Sequence, residues 1–437
     1  MSVMHDRHQI AALTPPATRL GDWAPLLEGQ LADQAREAIT AIAASLRAAP
    51  ARLEGGTLAG GHAGLALFYA YLARAELGAD ADRIAEQYLD AAIEAVAAHQ
   101  MSPALYGGFT GIAWSLAHLQ DQVLGADADD PAEDIDAALL DHVGRSPWRR
   151  EYDLISGLVG LGVYTLERLP RPTAVACLER VIARLAETAQ LHDSGTTWWT
   201  DPRWLPPWQR QEAPDGYYNL GLAHGVPGVI ALLGAACAAG VATATARPPL
   251  DGAVTWLLAQ RLPAGSASHF GYWAGPGVKA ETSRLAWCYG DLGLAAALLY
   301  AARCVGEASW EHEALTIARH AARRPPQDAR VLDAGLCHGG AGAGHIFNRL
   351  YQATGDEALA AAARFWFAHT LELRQPGRGI AGFQSLEPAG DGRMDWQPEP
   401  GLLTGAAGIG LALLAATTAI EPAWDRVLLV AIPPARR

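Results

Sequence analysis

"HGGAGAGHIF", residues 338–347, is one of seven segments that share a frame: G-x-x-G opening onto a run of small apolar residues. The others are GGHAGLALFY (60–69), GGFTGIAWSL (107–116), SGLVGLGVYT (156–165), HGVPGVIALL (224–233), YGDLGLAAAL (289–298) and TGAAGIGLAL (404–413). The first pattern glycines are Gly61, Gly108, Gly157, Gly225, Gly290, Gly339 and Gly405, at successive spacings of 47, 49, 68, 65, 49 and 66 residues. A recurrence of this length marks a repeat architecture.

Each unit carries two helix-like stretches. In the first unit, GLALFYAYLARAELGA is apolar nearly all round, whereas ADRIAEQYLDAAIEAVAAH sets Arg83, Glu86, Asp90 and Glu94 along one face. That contrast predicts an inner and an outer helix. An open stack of such pairs needs polar caps at both ends. Here the last unit ends apolar, WDRVLLVAIPP, which favours closure on the first. The expectation is an all-α chain: one α/α toroid domain over residues 1–437, with seven inner and seven outer helices. The repeated glycines would let the inner helix N-termini crowd together without Cβ clashes. QLADQAREAITAIAASLRAAP, residues 30–50, reads as an outer helix, and the acidic stretch 125–145 as a loop plus helix.

Two columns of the aligned repeats vary. The residue before the first glycine is Gly60, Gly107, Ser156, His224, Tyr289, His338 and Thr404 in turn. One place earlier stand Ala59, Tyr106, Ile155, Ala223, Cys288, Cys337 and Leu403. Metal-binding chemistry is concentrated in units four to six, which are neighbours in a ring. Cys288 and Cys337 hold one slot in adjacent units, and His338 follows Cys337, so the three can converge on one ion. Two thiolates and an imidazole suit Zn²⁺ and leave a fourth position open. Such a zinc is a poor Lewis acid for carbonyls but a good partner for a substrate thiol, whose deprotonation it drives. The alternative is two buried cysteines and a capping histidine. Cys177, Cys237 and Cys304 fall in apolar helical stretches and read as core thiols.

Bulk composition bounds the rest. Half of the 437 residues are hydrophobic and 18% are charged, ample for a large core. The net charge of −13, with no basic block, argues against a nucleic-acid partner. The start, MSVMHDRHQI, has no apolar signal segment, and five cysteines is an odd count. A reducing, cytoplasmic setting is therefore expected. Two uncharged runs, 226–246 and 400–420, are long enough to span a bilayer, but their Gly, Ala, Thr and Pro content reads as buried helix rather than transmembrane segment.

The segments RLAWCYG, GLCHGGAG and LAHGVPG, set among seven G-x-x-G units, resemble the lanthionine synthetase C-like family, the lanthipeptide cyclases. The likeness runs from about residue 50 to 420. It implies an α/α toroid with one zinc, on Cys288, Cys337 and His338. It also implies an activity: addition of Cys thiols of a dehydrated precursor peptide to dehydroalanine or dehydrobutyrine, forming thioether rings. The implied partners are that peptide with its leader, a dehydratase and an exporter, with the enzyme cytoplasmic or gathered at the inner membrane face through them. By the same resemblance His224 is a general acid/base, Arg284 stabilises the enolate oxygen, and Asp153 supports His224. Tyr289 and Trp287 flank the zinc cysteine, for hydrogen bonding or packing. Plainer roles stand beside these: a helix-capping histidine, a surface ion pair and an N-cap.

Three long segments, 192–219, 262–283 and 374–400, each precede an inner helix and are expected as loops on the zinc face. Their aromatic and proline content suits a rim that grips an extended peptide. Trp198, Trp199, Trp204 and Trp208, with Trp287 beside the zinc cysteine, are the candidate contacts; loops packing on one another is the other reading. Two further functions remain open at the sequence level: addition of glutathione or another small thiol, and a non-catalytic peptide-binding scaffold. A prenyltransferase-like zinc toroid lacks its carboxylate ligand here.

Overall fold

Helices that are apolar on every side must be surrounded by protein, and in the computed structural model seven of them stand around one axis. The structure describes residues 23–48, 53, 55–120, 130, 132–388 and 393–435. The inner helices are α2 (His62–Arg74), α4 (Phe109–Leu119), α6 (Leu158–Glu167), α9 (Val226–Ala238), α11 (Asp291–Val305), α14 (Gly340–Thr354) and α16 (Ala406–Thr417). The outer helices are α1 (Gly29–Ala48), α3 (Ala81–Ala98), α5 (Glu133–Gly144), α7 (Pro172–Thr188), α10 (Thr243–Leu258), α12 (Ala308–Ala322) and α15 (Glu357–Glu372). Two short helices, α8 (Pro207–Glu212) and α13 (Pro326–Ala329), lie in connections. Every residue of α16 is buried, whereas α1 buries only the stripe Ala32, Ala35, Ala38, Ile39, Ile42 and Leu46. Arg83, Glu86, Asp90 and Glu94 of α3 are exposed, as an outer face requires.

Each inner helix packs on the next, and α16 packs on α2, so the toroid is closed. The outer helix of the seventh unit is α1, which lies against α16: the first helix among the described residues completes the last unit. The run 226–246 begins as α9 and the run 400–420 contains α16. Among the described residues no helix is long and apolar enough to cross a membrane. The acidic stretch forms α5 from Glu133. Its residues 125–129 and 131, the opening residues 1–22, residues 49–50 of the first helical stretch and 389–392 of the third long segment lie outside the described residues.

A circle of backbone hydrogen bonds joins the units just before their helices begin. Ala59 N donates to Tyr106 O (3.0 Å), Tyr106 N to Ile155 O (3.4 Å), Leu154 N to Ala223 O (3.1 Å) and Ala223 N to Cys288 O (3.3 Å). Cys288 N then donates to Cys337 O (3.3 Å), Cys337 N to Leu403 O (2.7 Å) and Leu403 N back to Ala59 O (3.2 Å). The circle follows the column of variable residues two places before each glycine, except in the third unit, where Ile155 accepts and Leu154 donates.

The glycines serve the circle differently from the expectation. Each lead-in folds back under its own helix, so a Cβ on Gly108 would lie 2.1 Å from Ser102 O, and one on Gly342 1.8 Å from Leu336 O. The first obstacle is the unit's own backbone. The neighbouring unit comes second: a Cβ on Gly111 would lie 2.8 Å from Leu58 Cβ, and on Gly64 3.0 Å from Leu402 Cβ.

The long segments are not plain loops. They contain a hairpin of β1 (Gln190–His192) and β2 (Gly195–Thr197), and a sheet of β3 (Trp199–Thr200), β4 (Tyr217–Asn219) and β5 (Trp273–Ala274). A second hairpin joins β6 (Ser385–Pro388) and β7 (Met394–Gln397). Strand β4 pairs with both neighbours antiparallel, Tyr218 opposite Trp199 and Ala274. The first two insertions thus form one small sheet; short strands with irregular alternation give no clear period-two signal.

The far end of the axis is filled by the C-terminal segment, a 3-10 turn over Ala423–Leu428. Buried Asp425 accepts from His345 Nε2 (2.7 Å) and from Arg349 Nε (2.6 Å) and Nη2 (2.9 Å). Arg426 donates to Glu167 Oε1 (2.8 Å), which also meets His118 Nδ1 (2.9 Å). Tyr106 OH and Trp287 Nε1 donate to the carbonyls of Val427 (2.9 Å) and Leu428 (3.0 Å). Burial works against the Asp425 carboxylate, but Arg349 and His345 hold its pKa below the usual range. Asp425→Ala, which leaves buried Arg349 with Glu421 alone of its two carboxylates and His345 Nε2 without its acceptor, is expected to lower unfolding stability by about 3 kcal/mol in denaturant titration. A carboxyl with a depressed pKa stabilises above its unfolded value, so the gap between wild type and Asp425→Asn should shrink as pH falls below about 4.

Candidate metal centre

The lead-ins to α11 and α14 carry the three metal-ligating candidates, and the circle bonds those lead-ins directly. Trp287 N (3.0 Å) and Cys288 N (3.3 Å) both donate to Cys337 O. The ligand atoms of Cys288, Cys337 and His338 consequently all lie within 4.8 Å of one another, with Cys288 buried and the other two half-buried. The Cys337 hydrogen bond, aided by His338 and Arg284 against the cost of burial, holds Cys288 well below the ordinary thiol range. Donating to Cys288, together with burial, pushes Cys337 well above it. This donor set, two cysteine sulfurs and one imidazole, fits a divalent soft-to-borderline cation, whose binding displaces thiol protons. Three protein ligands leave a tetrahedral ion one open position.

His224, from the lead-in to α9, gives Nδ1 to Asp153 Oδ2 at 2.7 Å. The other oxygen of Asp153 accepts from Ser156 N at 2.8 Å, so the carboxylate both caps a turn and holds the ring. Burial opposes the imidazolium, but the hydrogen bond and charge of Asp153, with Cys288 adding, hold the His224 pKa above the ordinary range. That leaves Nε2 as the atom available for proton transfer. Arg284 is half-buried, its backbone N donates to Tyr272 OH (3.0 Å), and its charge acts on both cysteines. Tyr289 stands beside His224, ring centroids 6.0 Å apart, and its hydroxyl accepts from Asn219 Nδ2 at 3.0 Å. Burial first, then nearby negative charge, push that hydroxyl up to about 12.

These groups border two cavities. One, of about 250 Å³, reaches Asp153, His224 and Tyr289. The other, of about 490 Å³, reaches Arg284 and Tyr289. Tyr289 and Gln209 belong to both, so the cavities flank one wall. Of the candidate tryptophans, Trp199 and Trp204 line the first cavity and Trp208 the second. Trp198 and Trp287 are placed otherwise than a peptide rim requires: both are buried, with Nε1 donating to Leu185 O (2.9 Å) and Leu428 O (3.0 Å). Both rings pack inside the protein and line neither cavity.

One column escaped the sequence reading. Six places before the first glycine stand Ser102, Glu151, Asn219, Arg284, Asp333 and Glu399, of which four border the two cavities or contact His338. In Ser102, Asn219, Asp333 and Glu399 a side-chain oxygen accepts from the N–H two residues on. A second group, His269, Asp291 and His320, also has close ligand atoms. Its carboxylate is already engaged by Arg324 (2.8 Å) and the backbone N of His269 (2.8 Å), so a cation's place is taken by a guanidinium. Cys177 and Cys304 are buried and Cys237 is half-buried, with burial pushing Cys177 up to about 12.

The family described as "Lanthionine synthetase C-like protein" matches residues 53–429. Among solved structures, nisin cyclase superposes with a TM-score of 0.73 at 19% identity, over 90% of this chain and 97% of that one. A sugar epimerase from a ruminal bacterium aligns with a TM-score of 0.48 at 12% identity, over 89% of this chain and 98% of that one. No curated protein matches the chain. The likeness to nisin cyclase identifies the toroid fold.

Purified protein is expected to hold one zinc per chain by elemental analysis. Cys288→Ala and Cys337→Ala should each lose it while keeping the wild-type helical circular dichroism; zinc retained in either variant would remove that residue from the ligand set.

Proposed function

The chain belongs to the lanthionine synthetase C-like family, and on that footing we propose that it is a cyclase that closes thioether rings in a dehydrated precursor peptide. The observation that carries the reading is the approach of the ligand atoms of Cys288, Cys337 and His338 to within 4.8 Å of one another, beside Arg284, whose charge acts on both cysteines, and His224, held by Asp153 and acted on by Cys288. Residues 1–437 act as one domain. Cys288, Cys337 and His338 would hold Zn²⁺, which would lower the pKa of a peptide cysteine's thiol so that its thiolate is available at neutral pH.

The protein's own residues manage the charge and the proton. The thiolate sulfur forms a bond to the β-carbon of dehydroalanine or dehydrobutyrine, and the double-bond electrons move onto the carbonyl as an enolate. Arg284 neutralises that developing oxygen charge. His224, kept cationic-prone by Asp153, delivers a proton to the α-carbon. The proton lost by the thiol is thus balanced by one gained at carbon, and the reaction is an isomerisation. The two cavities, with Trp204 and Trp208 exposed at their edges, offer room for two arms of a peptide chain, which favours a peptide over a small thiol. The substrate carries a leader; a dehydratase acts upstream and an exporter downstream, in the cytoplasm or at the inner membrane face.

A peptide with one cysteine and one dehydroalanine should, with the zinc-loaded enzyme, keep its mass while losing its maleimide-reactive thiol. A persistent thiol would overturn the cyclase reading, and a mass gain of one glutathione, when that thiol is supplied, would point to the small-thiol reaction. His224→Asn is expected to cut the rate by roughly 10²–10⁴ with zinc content unchanged.

Trp204→Ala combined with Trp208→Ala should weaken peptide binding, read as a raised KM, without loss of zinc. An unchanged KM would remove these side chains from the peptide path.

A further inference from the structure

We propose that Asp333 is a positioning residue for the metal centre: its carboxylate holds His338 by Nε2 and so presents Nδ1 to the ion. The inference rests on the metal reading above and adds a group that neither the ligand set nor the catalytic pair contains. His338 Nε2 lies 3.5 Å from Asp333 Oδ2. Asp333 is 2% exposed and fixed on both sides. Its Oδ1 accepts from Gly335 N at 3.0 Å, within the lead-in that carries Cys337 and His338. Its Oδ2 accepts from Leu386 N at 3.4 Å, the second residue of β6.

Two features separate this role from the alternatives. Asp333 is not a fourth ligand, because it falls outside the group whose ligand atoms are mutually within 4.8 Å. Nor does turn capping explain it fully. Asn219 makes the same contact with an N–H two residues on while its amide donates to Tyr289 OH and not to a histidine, so the turn needs only an acceptor oxygen. A carboxylate here adds charge, and the charge faces an imidazole. A metal-bound histidine that donates its distal N–H to a carboxylate is fixed in tautomer and orientation and becomes a stronger donor. The arrangement parallels Asp153 with His224 two units earlier, where the carboxylate engages Nδ1 and frees Nε2. Opposite ring nitrogens are thus restrained in the two histidines, one for a metal and one for a proton.

The test is the zinc affinity of Asp333→Asn, measured by competition with a chromophoric chelator, beside the thermal midpoint of the metal-stripped protein. Asparagine keeps the oxygen that caps Gly335 and removes the charge. The expected result is a 10- to 100-fold weaker affinity with an unchanged metal-free midpoint. Affinity within twofold of wild type would overturn the proposal. So would a matching fall in the metal-free midpoint, which would assign the effect to the turn. If the wild-type protein itself takes no zinc, the metal reading fails and this inference with it. If the wild type binds one zinc and the variant binds as well, the inference alone fails.

Discussion

The circle of backbone hydrogen bonds that runs through Ala59, Tyr106, Ile155, Ala223, Cys288, Cys337 and Leu403 is the constraint from which the site follows. An unpaired peptide group at the crowded end of seven helices would be costly. Pairing each lead-in with the next satisfies those groups and fixes the distance between neighbouring units. Cys288 and Cys337 are 49 residues apart in sequence yet share one link of the circle. The same demand explains the glycines: a lead-in that must reach both its neighbour and the underside of its own helix leaves no space for a Cβ at Gly108 or Gly342.

The opposite end of the axis is supported by a different device. Inner helices of seven units leave a hole that small side chains alone do not fill, and the C-terminal turn enters it. It brings charge, so charge must answer it: Asp425 meets Arg349 and His345, and Arg426 meets Glu167. Its carbonyls at Val427 and Leu428 take the donors of Tyr106 and Trp287, one from the circle and one adjoining it. The residue next to Cys288 is therefore anchored from below while Cys288 itself is anchored from the side. Helix α1 and the turn Ala423–Leu428 thus both serve closure, α1 completing the last unit and the turn filling the axis.

The repeat was legible because it is written twice, in glycine spacing and in all-round apolar helices. The proximity of Cys288, Cys337 and His338 was legible because one register slot holds cysteine in two adjacent units. What escaped lies where the backbone rather than the pattern decides. Trp198 and Trp287 look like rim residues in sequence, but each Nε1 finds a buried carbonyl and its ring goes inward. The strands of the insertions are two to four residues long, too short for alternation to show. Asp333 went unread because its column mixes Ser, Glu, Asn, Arg and Asp, chemically unlike residues that share only a backbone position.

That mixture shows how a symmetric scaffold carries an asymmetric site. The circle uses main-chain atoms alone, so side chains two, one and six places before each glycine can change without loosening the ring. In unit one these places hold Ala59, Gly60 and Gly55, with no chemistry at all. In unit six they hold Cys337, His338 and Asp333, a thiol, an imidazole and the carboxylate beside it. Units four and five add His224, Asn219, Cys288, Tyr289 and Arg284 from the same three places. Asp153, four places before its glycine, is the exception, and it reaches the site by bonding to His224 of the next unit. A reactive centre made this way is confined to adjacent units, because only neighbours around the circle bring their lead-ins into contact. The polar units offset the cost of burial in groups: Cys288 with Cys337, His338 and Arg284, and the imidazoles of His224 and His338 with the carboxylates of Asp153 and Asp333.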